Sequence, residues 1–292
     1  MTDDTTIATV RAERIYSDAV SEQWHGDCLN AEHVATVMGD RKADALVFDA
    51  PYSDRTHAGH RDGKLTAERA GVFAKRMERD RMDGKLAAQG AYAARVAAGI
   101  VAGRRDIDYS FWPPATVRAF CDLWLPRLSG WAVTITDDVL APAWRTSFVR
   151  HGLYPFAPLP LVETGSRVRM AGDGPSGWTC WVVVARPRGE PYSKWGTLRG
   201  AYVVPGDRAM NSNGGTDRIV GGKPLLAMQC IVEDYSARGG LVVDPTSGGG
   251  TTGRAAKALG RRYIGMEQDA GRAELSAKQL AAVKLDQAEL FG

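Results

Sequence analysis

The stretch from Leu241 to Asp269, LVVDPTSGGGTTGRAAKALGRRYIGMEQD, constrains the fold more than any other part of the chain. Leu241, Val242 and Val243 form a short apolar run with the β-branched character of a buried parallel strand. Asp244 and Pro245 close it, and Gly248, Gly249 and Gly250 follow, where the absence of side chains lets the backbone turn tightly and approach a ligand. Thr251 and Thr252 lead into a segment of helical composition that Gly260 ends, and Tyr263 to Met266 reads as a second strand with Glu267 at its tip. Strand, glycine turn, helix, strand and acid together predict a nucleotide-binding βαβ half-unit, with the acid placed to hold ribose hydroxyls.

Several ligands suit such a unit. Gly248 to Gly253 has the glycine spacing of a phosphate-binding P-loop, but Arg254 and Ala255 stand where that loop needs a lysine and a hydroxyl. A dinucleotide, S-adenosylmethionine and a glycine turn with no ligand all stay open on this stretch alone. For S-adenosylmethionine, Asp244 would meet the ammonium and the glycines would pass beneath the methionine part.

A second motif narrows the choice. Ala43 to Phe48 reads as a buried strand that stops at Asp49-Ala50-Pro51-Tyr52. Exocyclic amines of nucleobases are poor nucleophiles because the lone pair is delocalised into the ring. A carboxylate at Asp49 and the carbonyl of Ala50 can accept the two amine hydrogens, helping the nitrogen rehybridise. Pro51 fixes the turn, and Tyr52 offers a ring on which an extruded base can stack.

The two motifs in this order resemble the beta-class DNA amino-methyltransferases, the N6-adenine and N4-cytosine DNA methylase family. The likeness covers residues 24–53, 107–186 and 222–270, and its most specific pieces are Gly26 to Leu29, Asp49 to Tyr52, Gly222 to Pro224 and Asp244 to Glu267. It implies an α/β fold, a circularly permuted seven-stranded Rossmann-like S-adenosylmethionine-dependent methyltransferase domain with a helical insertion. Asp49 and Asp244 would then sit at the carboxyl ends of neighbouring central strands. It implies a cofactor site made by Asp27, Cys28 and Leu29 at the adenine, Glu267 at the ribose, and Asp244, Pro245, Thr246, Gly248, Gly250 and Thr251 at the methionine part. Lys223 and Pro224 match the motif that leads the helix before the glycine loop. The family pattern is usually D-P-P-Y; here Ala50 keeps the carbonyl and loses one proline's rigidity.

Charge adds a location for the substrate. The net charge is +3, yet residues 54–105 hold 12 Lys and Arg against 6 Asp and Glu, and residues 186–223 hold 7 against 3. Two basic segments on an otherwise acidic body suit a localised polyanion surface, or else solvated helix faces. The chain reads as one methyltransferase domain over 1–292, with an inserted helical, basic segment at 54–106 and a loop-rich recognition region at 187–222. The first of these leaves directly from Tyr52 and is read as a DNA-contacting lid or recognition element. Val117, Phe120, Leu123 and Trp124 fall at helical spacing and read as core. Phe156 to Val162 reads as an edge strand and Ala270 to Leu290 as a last amphipathic helix.

No apolar run approaches the roughly 20 residues of a membrane span. Four cysteines without C-x-x-C spacing suggest neither zinc nor a disulfide framework, and His57 and His60 are too isolated to argue for a metal. A cytoplasmic setting, in a bacterial or phage-infected cell, is the expectation. The expected reaction is methyl transfer to adenine N6 in double-stranded DNA by base flipping; Asp49 at the head of the motif, where N4-cytosine enzymes more often carry Ser, tilts the reading toward adenine. N4 of cytosine, RNA, and a cofactor-retaining binding protein are the rivals. A homodimer and a cognate restriction endonuclease stay open as partners.

Overall fold

A computed structural model describes residues 11–56, 110–165, 177–189, 194–205 and 222–284. Most of the basic insertion expected to be helical, part of the 187–222 region and the end of the chain beyond Lys284 therefore lie outside the described residues.

Apolar runs bounded by turn residues make the central strands. In chain order these are β1 (Glu13–Ser17), β2 (Ser21–His25), β3 (Ala43–Asp49), β4 (Leu128–Thr136), β5 (Leu153–Pro155), β6 (Leu159–Thr164), β7 (Thr179–Pro187), β8 (Tyr202–Pro205), β9 (Leu241–Asp244) and β10 (Arg262–Glu267). Helices α1 (Ala31–Met38), α2 (Pro114–Trp124), α3 (Ala141–Arg150), α4 (Leu225–Tyr235), α5 (Thr251–Ala258) and α6 (Ala270–Ala282) alternate with them. All ten strands join one sheet in the order β1-β2-β10-β9-β3-β4-β7-β6-β8, with β5 also paired to β7. The strands β2, β10, β9, β3 and β4 run parallel at its centre, and β7 enters antiparallel beside β4.

Such a parallel core must be covered on both faces, and the pleat of β3 shows how. Leu46 and Phe48 point into one apolar cluster with Val34 and Val37 of α1, Phe120 and Trp124 of α2, and Trp144 and Phe148 of α3. Ala45 and Val47 point into the other, with Ile231 and Val232 of α4, Ala255 and Ala256 of α5, and Leu280 of α6. The aromatics read as core are core: the Phe48 ring lies 5.0 Å from Phe120 and 5.4 Å from Trp144, and Trp124 is fully buried.

The direction of connection reverses between β3 and β9. From β3 the chain steps to β4 on one side, and from β9 to β10 on the other. Open α/β sheets bind ligands outside the carboxyl ends of the strands at such a switch point. Asp49 ends β3 and Asp244 ends β9, on adjacent strands, as the motif order predicted.

Two local expectations differ. The edge strand read at Phe156 to Val162 is a strand over Leu159–Thr164 flanked on both sides, because β8, from within the region read as loops, pairs with it in parallel. Among the described residues the last helix stops at Ala282, with Val283 extended. No described helix is long and apolar enough to cross a membrane.

Candidate active site

The carboxyl ends of β2, β10, β9, β3 and β4 form one continuous rim, and each contributes to the site. At β2, Gly26 N–H donates to the Glu267 carbonyl at 2.9 Å, which lays the Gly26 to Leu29 turn beside the tip of β10. The Asp27 carboxylate accepts from Leu29 N–H at 2.8 Å, its N–H donates to His33 Nδ1 at 3.0 Å, and the Cys28 carbonyl accepts from Trp124 Nε1 at 2.9 Å. Glu267 is oriented by two backbone donors, Gly248 N–H to Oε2 at 2.8 Å and Asp269 N–H to Oε1 at 2.9 Å. Those bonds fix the carboxylate and leave each oxygen a lone pair for a further donor.

The glycine turn has divided duties. Gly248 has φ +50°, and a Cβ placed there would meet nothing nearer than the Thr246 carbonyl at 4.0 Å, so the space before it is open. Gly250, at φ +82°, faces the protein: a Cβ would stand 2.5 Å from Ser276 Oγ and 3.0 Å from its Cα. Its lack of a side chain serves the packing of α6 rather than ligand approach. Beneath the turn, buried Gln23 donates to Ser247 Oγ at 2.9 Å and accepts from Ser276 Oγ at 2.7 Å. Gly250→Ala therefore combines an unfavourable backbone with a clash and should cost about 2 kcal/mol or more. Gly248→Ala carries only the backbone penalty, on the order of 1 kcal/mol. Urea denaturation midpoints of the two variants would rank them; equal losses would contradict this assignment of the glycines.

Asp244 is 2% exposed, and its Oδ1 accepts from Thr246 N–H at 3.0 Å. Burial pushes its carboxyl up to about 7, the Asp49 and Glu267 carboxylates add to that, and bonds from Thr252 and Thr246 oppose it. Thr246 also ties the two motifs together, its Oγ1 donating to the Asp49 carbonyl at 3.1 Å. Pro245 and Thr251 flank this turn, Pro245 buried after Asp244 and Thr251 opening α5.

At β3, Ala50 is 3% exposed and Tyr52 half-buried. The Tyr52 carbonyl accepts from Trp112 N–H at 3.0 Å. Ser53 donates through its N–H at 2.9 Å and its Oγ at 2.5 Å to Asp137 Oδ2 at the end of β4, and Thr56 Oγ1 donates to the same oxygen at 2.7 Å. Burial acts to raise the Asp137 carboxyl, but these bonds and one from Leu140 N–H outweigh it and hold it below the usual range. The chain at Ser53–Thr56 and at Trp112, the described residues on either side of 57–109, is thus fastened at the Asp49 turn.

The Asp49 carboxylate itself is met by Lys223, whose Nζ donates to Oδ2 at 2.7 Å. The ammonium also lies 5.0 Å from the Tyr52 ring centroid. Burial pushes the Asp49 carboxyl up, and Lys223 opposes that; the lysine is held charged because Asp49 outweighs its own burial. Asp49 Oδ1 is buried and has no hydrogen-bond partner among the described residues. The residues expected around a cofactor therefore line one rim, except that Lys223 reaches the Asp49 carboxylate instead. Pro224 follows it as the residue before α4.

Sequence reasoning missed Asp137, Gln23, Ser276 and the Lys223 contact. Asp137 carries a local signal, since an acid ends a third central strand at the same rim; Gln23 and Ser276 carry none, being polar residues in ordinary amphipathic segments.

Asp244 lies near enough to the Asp49 and Glu267 carboxylates to feel their charge, a grouping that attracts a cation, and the open space before Gly248 admits a ligand's backbone-like part. Among the described residues no cluster of His, Cys, Asp and Glu is arranged to hold a metal ion.

Residues 206–278 match the N6/N4 family described as DNA methylase. Type II methyltransferase M.HinfI of Haemophilus influenzae is 39% identical over 62 residues, 21% of this chain and 17% of that protein. Type II methyltransferase M2.MboI of Moraxella bovis is 42% identical over 57 residues, 20% of this chain and 21% of that protein. The chain thus spans about a fifth of the length of these curated relatives. Among solved structures, the M1.HpyAVI–SAM complex superposes with a TM-score of 0.57 at 15% identity, covering 88% of this chain and 97% of that one. PvuII DNA methyltransferase, cytosine-N4-specific, superposes with a TM-score of 0.55 at 11% identity, covering 95% and 92%. At such identities the likeness is one of fold: a Rossmann-like methyltransferase sheet.

Proposed function

We propose that this chain, whose residues 206–278 resemble the DNA methylase family, is a DNA methyltransferase dependent on S-adenosylmethionine, acting on the exocyclic N6 of adenine in double-stranded DNA. The observation that carries the reading is the meeting at one rim of Asp49, with a bare buried oxygen, and the Asp244–Glu267 pair around an open glycine turn.

The residues present fit the cofactor. Asp244 would take its ammonium, Glu267 its ribose hydroxyls, the Asp27 to Leu29 turn its adenine, and Gly248 the space along its methionine part. Bound there, S-adenosylmethionine supplies an electrophilic methyl on a sulfonium. The chain's own residues do the rest. The Asp49 carboxylate accepts one amine hydrogen and the Ala50 carbonyl the other, which localises the nitrogen lone pair. Tyr52 supports the extruded base, Pro51 fixes the turn, and Asp137 holds that turn through Ser53. As the N–C bond forms, the methyl's bond to sulfur would break with its electron pair staying on a neutral thioether, and Asp49 is placed to hold the proton the amine sheds.

Adenine is favoured over cytosine by the acid at position 49. The basic segments at 54–105 and 186–223 carry the charge a duplex requires. Transfer of tritiated methyl from S-adenosylmethionine to unmethylated genomic DNA, followed by separation of the nucleosides, tests this. Label in N6-methyladenosine is the expected result. Label in N4-methylcytosine would move the base and keep the site, and label only in RNA would overturn the substrate.

A further inference from the structure

Lys223 stands immediately before Pro224 and α4, far in sequence from β3, yet its ammonium is 2.7 Å from Asp49 Oδ2. The lysine side chain is 9% exposed and the Asp49 side chain 25%, so the pair is largely shielded from water. Shielding matters, because a buried carboxylate without a cation beside it takes up a proton, and a protonated carboxyl cannot accept the hydrogens of an amine. The two carboxylate oxygens are also unequal: Oδ2 is occupied by the lysine, while Oδ1 is buried and lacks a hydrogen-bond partner among the described residues.

We propose that Lys223 is the positioning residue of the Asp49 carboxylate: it fixes Oδ2 and keeps the group ionised, so that the carboxylate can accept from the target amine. This rests on the reading of Asp49 as the amine acceptor. It gives Lys223 a role toward the substrate base rather than toward the cofactor. The ammonium also lies 5.0 Å from the Tyr52 ring centroid, so the lysine braces both the acid and the aromatic of the motif.

Other groups bear on the carboxylate from each neighbouring element. A side-chain hydrogen bond from Tyr52 acts to lower it, Asp244 of β9 feels its charge, and Cys180 of β7 and Glu163 of β6 lie near the pair. Burial pushes the Cys180 thiol up to about 11, so it stays neutral near pH 7, and neither it nor the acids can replace the lysine's positive charge.

The test compares the full chain with Lys223→Met and Lys223→Arg. Lys223→Met should lower kcat about 100-fold, move the acid limb of the kcat profile to higher pH by about one unit or more, and leave the dissociation constant of S-adenosylmethionine within about twofold, since only the ionisation and aim of Asp49 are lost. Lys223→Arg should restore most of kcat and return the limb. A dissociation constant raised tenfold with an unmoved pH profile would overturn the proposal and make Lys223 a cofactor ligand.

A second measurement needs no activity. Thermal midpoints of Asp49→Asn, Lys223→Met and the double variant form a cycle; strong non-additivity supports the pair, and additive losses overturn it. If the parent transfers no methyl while the cycle is non-additive, the reading of the reaction fails and the pairing stands.

Discussion

Asp49→Ala should reduce kcat for methyl transfer to DNA by about 100- to 10,000-fold, the range associated with removing a positioned proton acceptor. Cofactor binding should survive, because the Asp49 carboxylate is bonded to Lys223 and not to the glycine turn. The same substitution strands the Lys223 ammonium in a shielded site, and unpaired buried charges of this kind cost about 3–5 kcal/mol. A drop in activity alone would therefore be ambiguous, since an unstable protein is also an inactive one. The double variant Asp49→Ala with Lys223→Met removes both charges and should recover much of the lost stability while recovering none of the activity. Single-turnover rates with saturating cofactor, set beside urea midpoints of the three proteins, separate the effects. An Asp49→Ala protein that methylates at the parent rate would end the proposed mechanism.

How much of this was legible beforehand depends on the range over which each feature is encoded. Leu241 to Glu267 is a local pattern, and it appears in the structure as β9, turn, α5 and β10 with nearly the boundaries read from it. Ala43 to Asp49 was equally plain, because a parallel strand buried on both faces must be a continuous apolar run. The adjacency of Asp49 and Asp244 followed from motif order and sheet topology. The Lys223–Asp49 bond, spanning 174 positions, follows from neither; a lysine before a proline reads the same whether its ammonium meets a ligand or a carboxylate. That the side-chain position of Gly250 faces Ser276 was hidden for a similar reason, since sequence cannot place that helix against the turn. The inner position of β6 was hidden because its second neighbour, β8, is four residues long and lies in a region of loop-like composition.

Affinity for S-adenosylmethionine should rise with pH through neutrality, and Asp244 is the reason. Its carboxyl sits near 7 in the folded chain, well above an ordinary aspartate, chiefly because it is buried. The sign of the linkage follows from that elevation. Between about pH 4 and pH 7 the folded state holds a proton that the unfolded chain has released, so this group's contribution to stability falls as pH rises across that window. A ligand ammonium reverses the balance, since it pairs with the ionised form and expels the proton. At pH 6 only about a tenth of the protein would have Asp244 ionised, so the apparent dissociation constant should be about tenfold weaker than at pH 8, with close to one proton released per cofactor bound at pH 6. Titration calorimetry in two buffers of different ionisation enthalpy measures that release directly. Asp244→Asn should bind weakly and lose the pH dependence between 6 and 8, the neutral amide being unable to titrate. Because Asp49 and Glu267 both act to raise Asp244, removing either charge should shift the midpoint of the dependence to lower pH while leaving its direction unchanged. A binding constant flat from pH 6 to pH 8 in the parent would instead place the ammonium away from Asp244 and require a different cation site on the rim.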